Sequence, residues 1–337
     1  MTINRSDYQE AIASFIADQI EKENAPWMKP WEPGQARHSA QFMPINGTSG
    51  RDYHGINALH LQMKQLSMGY ESNAWMTFLQ AKNAGGVVRK GEKSSMVEFW
   101  NWPDKKAVQE EGPDSANEDD QAVRKGPFVF YAHVFNASQI EGLPERFYAS
   151  APLMPEGWRH EQAERILKDS GAVIRHDGGD WAFYRHDTDS IHLPLPAQFK
   201  SQDQFYSTAL HELGHWTGAP DRLNRQFGRF GDAAYAQEEL RAELFSYFAS
   251  QRIDLPHDPS QHMSYLKHWH RLVKDDPKAI FKACADAEKM CRFLGVEYAN
   301  EKTMAFQQGE KQESNVLAFP AKEKLVNAKK RSRGLAL

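Results

Sequence analysis

The chain is predicted to be an α+β protein of two domains in tandem, and three observations carry that prediction. Its 337 residues are enough for two separate cores. Helices and short strands are interspersed in the first half, whereas the last part of the second half reads as helix alone. The tract Pro144 to Gly157 holds three prolines and reads as a linker between the two. The expected boundaries are a first domain over 1–145, a linker over 146–157, a second domain over 158–302 and a flexible basic tail over 303–337.

Residues 6–24 carry Ile12, Phe15, Ile16 and Ile20 at helical spacing, with Ser6 as a candidate cap. The stretch from Pro26 to Trp31 is too rich in proline and tryptophan to be regular. A second helix is expected from Asn57 to Ser67 and a third from Trp75 to Lys82. Gly85 to Gly91 reads as a turn, a short strand and a turn, leading into a strand at Ser95 to Trp100. A partner strand runs from Phe128 to Phe135. Between them, Asp104 to Lys125 is acidic and lacks apolar periodicity, and is expected to be a disordered insertion.

In the second half, residues 161–170 look helical. Trp181–Tyr184 and Ser190–Leu193 flank the polar turn His186–Asp189 and read as a small antiparallel sheet, with Pro194 and Pro196 suiting an edge. Ser201 and Gln204 have capping-box spacing, and no Gly or Pro interrupts the next nine residues. Gly218 and Pro220 then supply a stop. Helices containing Leu240–Gln251, Ser264–Val273 and Ala279–Phe293 complete the chain.

The helix opened by Ser201 carries His211-Glu212-Leu213-Gly214-His215. Residues four apart on a helix share a face, so His211 and His215 can each give a ring nitrogen to one Zn²⁺. Glu212 is then placed to take a proton from water at the metal. A catalytic zinc needs a third protein ligand, and the segment Tyr235 to Glu243 is the obvious source. Glu239 is assigned to the metal, with Glu238 as its rival, since spacing cannot separate neighbours. Glu243, one turn on, would accept a hydrogen bond from the other nitrogen of a ligand histidine. Tyr235 and His192 are candidates for steadying an oxyanion. A strand edge beside a metal helix could hold an extended peptide by main-chain pairing, the layout of a peptidase.

A formal charge of −4 with 40% hydrophobic residues excludes a globally basic nucleic-acid binder, so any such surface must be local. No apolar run approaches the length needed to cross a bilayer, and the N-terminus lacks the apolar core of a signal peptide. No membrane partner is expected. Cys284 and Cys291, seven apart along a helix, are too distant for a disulfide, and a reduced cytosolic setting follows. The first half nevertheless interleaves aromatic and basic residues as single-strand binders do. Trp27, Trp31, Tyr53, Trp75, Trp100 and Trp102 are candidate stacking rings. Lys29, Arg51, Lys82, Arg89, Lys90 and Lys93 are candidate phosphate partners, and Asn57 could bond a base edge or sugar. Gly85, Gly86 and Gly91 would let backbone amides approach an oxyanion.

Several separated segments resemble ArdC-type antirestriction proteins. These are Pro26-Trp27 with Lys29-Pro30-Trp31, Arg51 to Asn57, Trp75-Met76-Thr77, Gly85 to Lys93, and Val134-Phe135-Asn136 followed by Gln139. The stretch His211 to Gly218, Arg222-Leu223 and Tyr235-Ala236 before the paired glutamates are similar to the zincin-type metallopeptidase domain fused to it in that family. The resemblance covers about residues 6 to 300. It implies an N-terminal domain that binds single-stranded DNA, found also in plasmid primases, and a zinc metallopeptidase-like domain whose metal is held by His211, His215 and a glutamate between Glu238 and Glu243. Glu212 would be the general base. It further implies carriage on conjugative plasmids and protection of incoming DNA from restriction, with a restriction-system component as a conceivable protein substrate. Two other readings stay open: a non-enzymatic DNA-coating protein with a structural zinc, and a metallopeptidase whose first half recognises protein.

Overall fold

Asn4, rather than Ser6, starts the first helix of the computed structural model. Its side chain accepts from the Ser6 N–H at 3.1 Å, while Ser6 Oγ donates to Glu10 one turn later at 3.1 Å. Helix α1 (Arg5–Glu21) buries Ile12, Ile16 and Ile20. The structure describes residues 4–28, 42–101, 128–148, 155–229, 232–257 and 265–296. The acidic stretch 104–125, the tail 303–337 and linker residues 149–154 lie outside them.

After β1 (Ile45–Asn46), helix α2 (Gly55–Met68) ends at Gly69, whose φ of 64° suits glycine. The expected third helix divides in two. Ala74–Thr77 form strand β2, and α3 (Phe78–Asn83) follows. Thr77 is the divider, because its hydroxyl accepts from the Gln80 N–H at 3.2 Å and the Gln80 side chain answers to the Thr77 N–H at 2.9 Å. That capping box fixes the helix start and leaves Trp75 and Met76 extended.

Strand β3 (Val87–Val88) is followed by β4 (Ser95–Asn101) and β5 (Phe128–Asn136), which pair in antiparallel register from Ser95 opposite Val134 to Asn101 opposite Phe128. The sheet order is β1-β2-β5-β4, parallel only between β1 and β2. Strand β6 (Ile140–Glu141) pairs with β3 as a separate ladder.

Helix α4 (Glu156–Ser170) opens the second half, followed by β7 (Val173–Arg175), β8 (Phe183–Arg185) and β9 (Ser190–His192). The anticipated hairpin is one side of a mixed sheet: β8 is antiparallel to β9, and β7 joins β9 in parallel. Three residues without alternation gave β7 no sequence signal. Helices α5 (Gln202–Trp216), α6 (Ala233–Arg252), α7 (Leu266–Asp275) and α8 (Pro277–Phe293) form the remainder.

The halves share packing. Helix α1 lies against α7 and α8, and α2 lies against α8. The Gly55 N–H donates to Glu288 of α8 at 2.9 Å, and the Tyr247 hydroxyl of α6 donates to Gln62 of α2. Met1–Glu297 cluster as one compact unit. Among the described residues no helix is long and apolar enough to cross a membrane.

Candidate metal centre

Two helices build the centre, and each is started by its own cap. Ser201 Oγ accepts from the Gln204 N–H at 3.1 Å at the head of α5, and Asp232 accepts from the Tyr235 N–H at 2.7 Å at the head of α6. The helices cross closely at Gly214, where an added Cβ would stand 2.9 Å from Phe245 Cδ1 and 3.2 Å from the Ala242 Cα. Only a glycine on α5 lets α6 come near enough for its carboxylates to reach the two imidazoles.

The imidazoles of His211 and His215 face each other with Nε2 atoms 3.2 Å apart. Glu239 closes the triangle, with Oε1 3.5 Å from His215 Nε2 and Oε2 3.6 Å from His211 Nε2. Donors about 2.0–2.1 Å from one cation at tetrahedral angles stand roughly 3.4 Å from one another, so the cluster fits a single ion. Among the described residues, no fourth His, Cys, Asp or Glu joins this group. Three donors are the number a catalytic zinc site takes from the protein.

Each ligand histidine is turned by a different carboxylate. His211 Nδ1 lies 3.1 Å from Glu243 Oε2, and the other Glu243 oxygen lies 2.9 Å from His257 Nε2. His215 Nδ1 lies 3.4 Å from Glu238 Oε1. Glu238 is thus on the far side of His215, away from the ion position, whereas Glu239 faces both Nε2 atoms. Arg225 anchors Glu238 at 2.7 and 3.1 Å, and also donates to the Gly214 carbonyl at 2.7 Å. Arg241 reaches Glu238 at 3.4 Å and Asp286 of α8 at 2.9 Å.

The charge balance also suits a cation. Four buried carboxylates, on Glu212, Glu238, Glu239 and Glu243, stand against the guanidinium groups of Arg225 and Arg241. Burial by itself disfavours charge on His211, but Glu239, Glu243 and Glu212 outweigh it and raise its pKa to about 10. Burial likewise opposes the ionised forms of Glu238 and Glu239, yet the histidines, with Arg225 in the case of Glu238, hold both at about 2. A site that pulls protons this firmly onto its imidazoles is a site of negative potential.

Glu212 is buried, 5% exposed, beside His211, and makes no hydrogen bond to another side chain among the described residues. The Tyr235 hydroxyl bonds Glu239 and lies 3.0 Å from that of Tyr265. His192 is corrected: it stacks on Phe183, and its ring nitrogens are taken by Asp177 at 2.6 Å and Ser190 at 2.9 Å, so it has no donor for an oxyanion. Sequence reasoning missed Arg225, Arg241 and His257, and treated Glu238 only as a rival ligand. The loops and helix that supply them carry no spacing pattern tied to the motif.

The residues expected to meet DNA are divided by burial. Trp27 and Trp75 are 0% exposed and Tyr53 is 5% exposed, so none can stack on a base; this corrects the expectation. Trp75 is locked between β2 and α2 by an indole bond to Gln65 at 2.7 Å. Asn57 is half-buried, with one amide N–H and its carbonyl oxygen taken by the Glu98 backbone at 2.7 and 3.0 Å. Gly86 packs its backbone against Ile140 and Leu143, where an added Cβ would lie 2.6 and 2.7 Å away, rather than facing an anion. Arg51, Lys82, Arg89, Lys90 and Lys93 are exposed, Arg89 being paired with Glu92 at 2.6 Å. Trp100 stays 44% exposed, whereas Lys29, Trp31 and Trp102 lie outside the described residues.

Comparison with known proteins agrees with this layout. Residues 6–135 match the N-terminal domain of anti-restriction factor ArdC, and residues 161–286 match a zincin-like metallopeptidase. The metal-free crystal structure of the antirestriction protein ArdC from plasmid R388 is similar with a TM-score of 0.66 and 33% identity, over 87% of this chain and 98% of that one. The chain belongs to the ArdC antirestriction family. The Mn(II)-bound form of the R388 protein matches with the same TM-score at 32% identity. An uncharacterized protein, y4eC of Sinorhizobium fredii, is 33% identical over 88% of this chain and 94% of its own length. A DNA primase TraC of Escherichia coli is 43% identical over 86% of this chain but only 27% of its own length, so the chain spans about a quarter of that relative. A second TraC primase is matched over 20% of its length at 41% identity. In this ArdC-family chain the metal centre lies wholly within the zincin-like segment.

Proposed function

We propose that this ArdC-family chain protects incoming plasmid or mobile-element DNA from restriction by joining single-strand binding to zinc-dependent hydrolysis of a protein partner. The observation that carries the proposal is the convergence of His211, His215 and Glu239 on one point beside a buried Glu212. Two imidazoles and a carboxylate, with no fourth protein donor among the described residues, form the donor set of a catalytic zinc, and a structural zinc would want four protein donors. The chemistry a bound zinc ion supplies is Lewis acidity, which polarises a peptide carbonyl and lowers the pKa of water.

The rest is the work of this chain's side chains. Glu212 takes a proton from the attacking water and passes it to the leaving amide nitrogen. Glu243 and Glu238 keep the His211 and His215 rings turned with Nε2 inward. Strand β8 is one of the two outer strands of its sheet, and α5 packs on it, so an extended peptide pairing with β8 would run past the site. Glu212→Gln tests the mechanism. Zinc stoichiometry should be unchanged while cleavage of a susceptible protein falls at least about a hundredfold. Equal cleavage by the variant would remove Glu212 from the chemistry. If antirestriction in cells survives the substitution intact, the coating reading with a non-catalytic metal is the better one.

Single-strand binding is supported by the family match over residues 6–135 and by the exposed cations Lys82, Lys90 and Lys93. Binding through phosphate contacts should weaken linearly in a log–log plot against salt. Oligonucleotide affinity that ignores salt, or none at low salt, would favour protein recognition by this half.

A further inference from the structure

A cleft of about 900 Å³ lies between the Glu98–Trp100 end of β4, the start of α1 and the first turns of α8. None of the metal-centre side chains lines it, and both family-matched segments contribute walls. One wall is aromatic. Trp100 stays 44% exposed although its indole bonds the Glu98 carboxylate and the Arg5 guanidinium sits 5.0 Å from its ring. The α8 wall is cationic. Lys278 and Lys282 stand one turn apart on α8, both exposed, and neither forms an ion pair among the described residues.

The carboxylates nearby do not cancel these cations. Glu288 is engaged by Arg252 at 2.6 Å and by the Gly55 N–H at 2.9 Å. Glu98 is half-buried with one oxygen sealed from solvent, and burial raises its pKa. Asp52 is the one further acid in the wall. The volume fits a small organic ligand, and a part-exposed ring sharing the cleft with two ammonium groups that have no ion pair among the described residues selects a ligand with an aromatic face and an anionic end.

We propose that this cleft binds a nucleotide, with its base against Trp100 and its phosphates between Arg5, Lys278 and Lys282. The nucleotide can be free or part of a single strand, and only the second source rests on the DNA-binding reading above. In either case α8 of the zincin-like segment takes part in binding, so occupancy of the cleft touches the helix whose Asp286 holds Arg241 behind the metal centre.

The test uses the full chain. Fluorescence anisotropy would follow a labelled single strand of about 20 nucleotides, longer than the ~4–16 spanned by one binding module. Calorimetry would follow dAMP and ATP. The variants are Trp100→Leu, the double Lys278→Glu/Lys282→Glu, and a charge-matched control, Lys168→Glu/Lys274→Glu, with thermal unfolding reporting that each is folded. Trp100→Leu should weaken strand or nucleotide binding about tenfold or more. The double variant should lose a similar amount and flatten the log–log salt slope for the strand by about 1.4. The control should stay within about twofold. If wild type binds the strand and both cleft variants, folded, bind it equally well, the cleft proposal is overturned while single-strand binding stands. If wild type binds nucleotide but not strand, and the cleft variants lose it, the cleft is right and the DNA reading is not. Binding of neither probe by wild type overturns both.

Discussion

Glu238 and Glu239 are neighbours in sequence with different surroundings, and that difference decides what each substitution does. Glu239 faces both Nε2 atoms, so Glu239→Ala should abolish stoichiometric zinc binding. Of the ligand histidines Glu238 meets only His215, at its outer nitrogen, so Glu238→Gln should leave one zinc per chain at saturation but weaken affinity about 10–100-fold. Titration against a competing chelator separates the two, and reversed behaviour would reassign the third ligand. At this scale the sequence is informative where spacing alone dictates geometry. His211 and His215 share a face because a helix has 3.6 residues per turn, and nothing in the rest of the chain can change that. It is uninformative where partners come from afar, as with Arg225 and His257. It misleads where burial decides, as with Trp27 and Trp75, because a core tryptophan and a stacking tryptophan are the same letter.

Between elements, the α5–α6 crossing controls the distance between imidazoles and carboxylate. Gly214→Ala would drive a methyl group to 3.2 Å from the Ala242 Cα, a backbone atom that can yield only if the helices part. The variant should lose about 1–3 kcal/mol of stability in urea unfolding and bind zinc more weakly. Unchanged zinc affinity would show that this crossing does not set the site. A second element test concerns α2. His60 is 3% exposed against Phe15, and burial with the nearby Lys64 charge lowers its pKa to about 3. The unfolded chain takes up this proton near the usual ~6.5, so stability falls as pH drops from there toward 3. His60→Gln should remove about 3 kcal/mol of that loss between roughly pH 7 and 4. Parallel acid limbs for both proteins would contradict it. Strands and helices over 128–135 and 279–293 were legible from periodicity, whereas the strand at Ala74–Thr77 was hidden because its apolar residues run straight into a helix.

Across the whole molecule, the two halves are tied by α1 on α7 and α8, by the Gly55–Glu288 bond and by the Tyr247–Gln62 bond. Contacts so distant in sequence leave no local pattern, which is why a tandem reading foresaw the parts and not their union. The consequence is cooperative unfolding. Tryptophan fluorescence, which includes Trp27 and Trp75 of the first half, should report the same transition as helical circular dichroism. Metal at about 100 times its Kd should add about 2.7 kcal/mol to that single transition, and chelation should remove it. Two transitions, only one sensitive to chelator, would show the halves to be independent. If His211, His215 and Glu239 hold one divalent cation, metal analysis of full-length protein purified without chelator reads it out. The prediction is one equivalent per wild-type chain and almost none in Glu239→Ala or His215→Ala. A wild-type chain that retains no metal after zinc loading, or variants that retain a full equivalent, would contradict it.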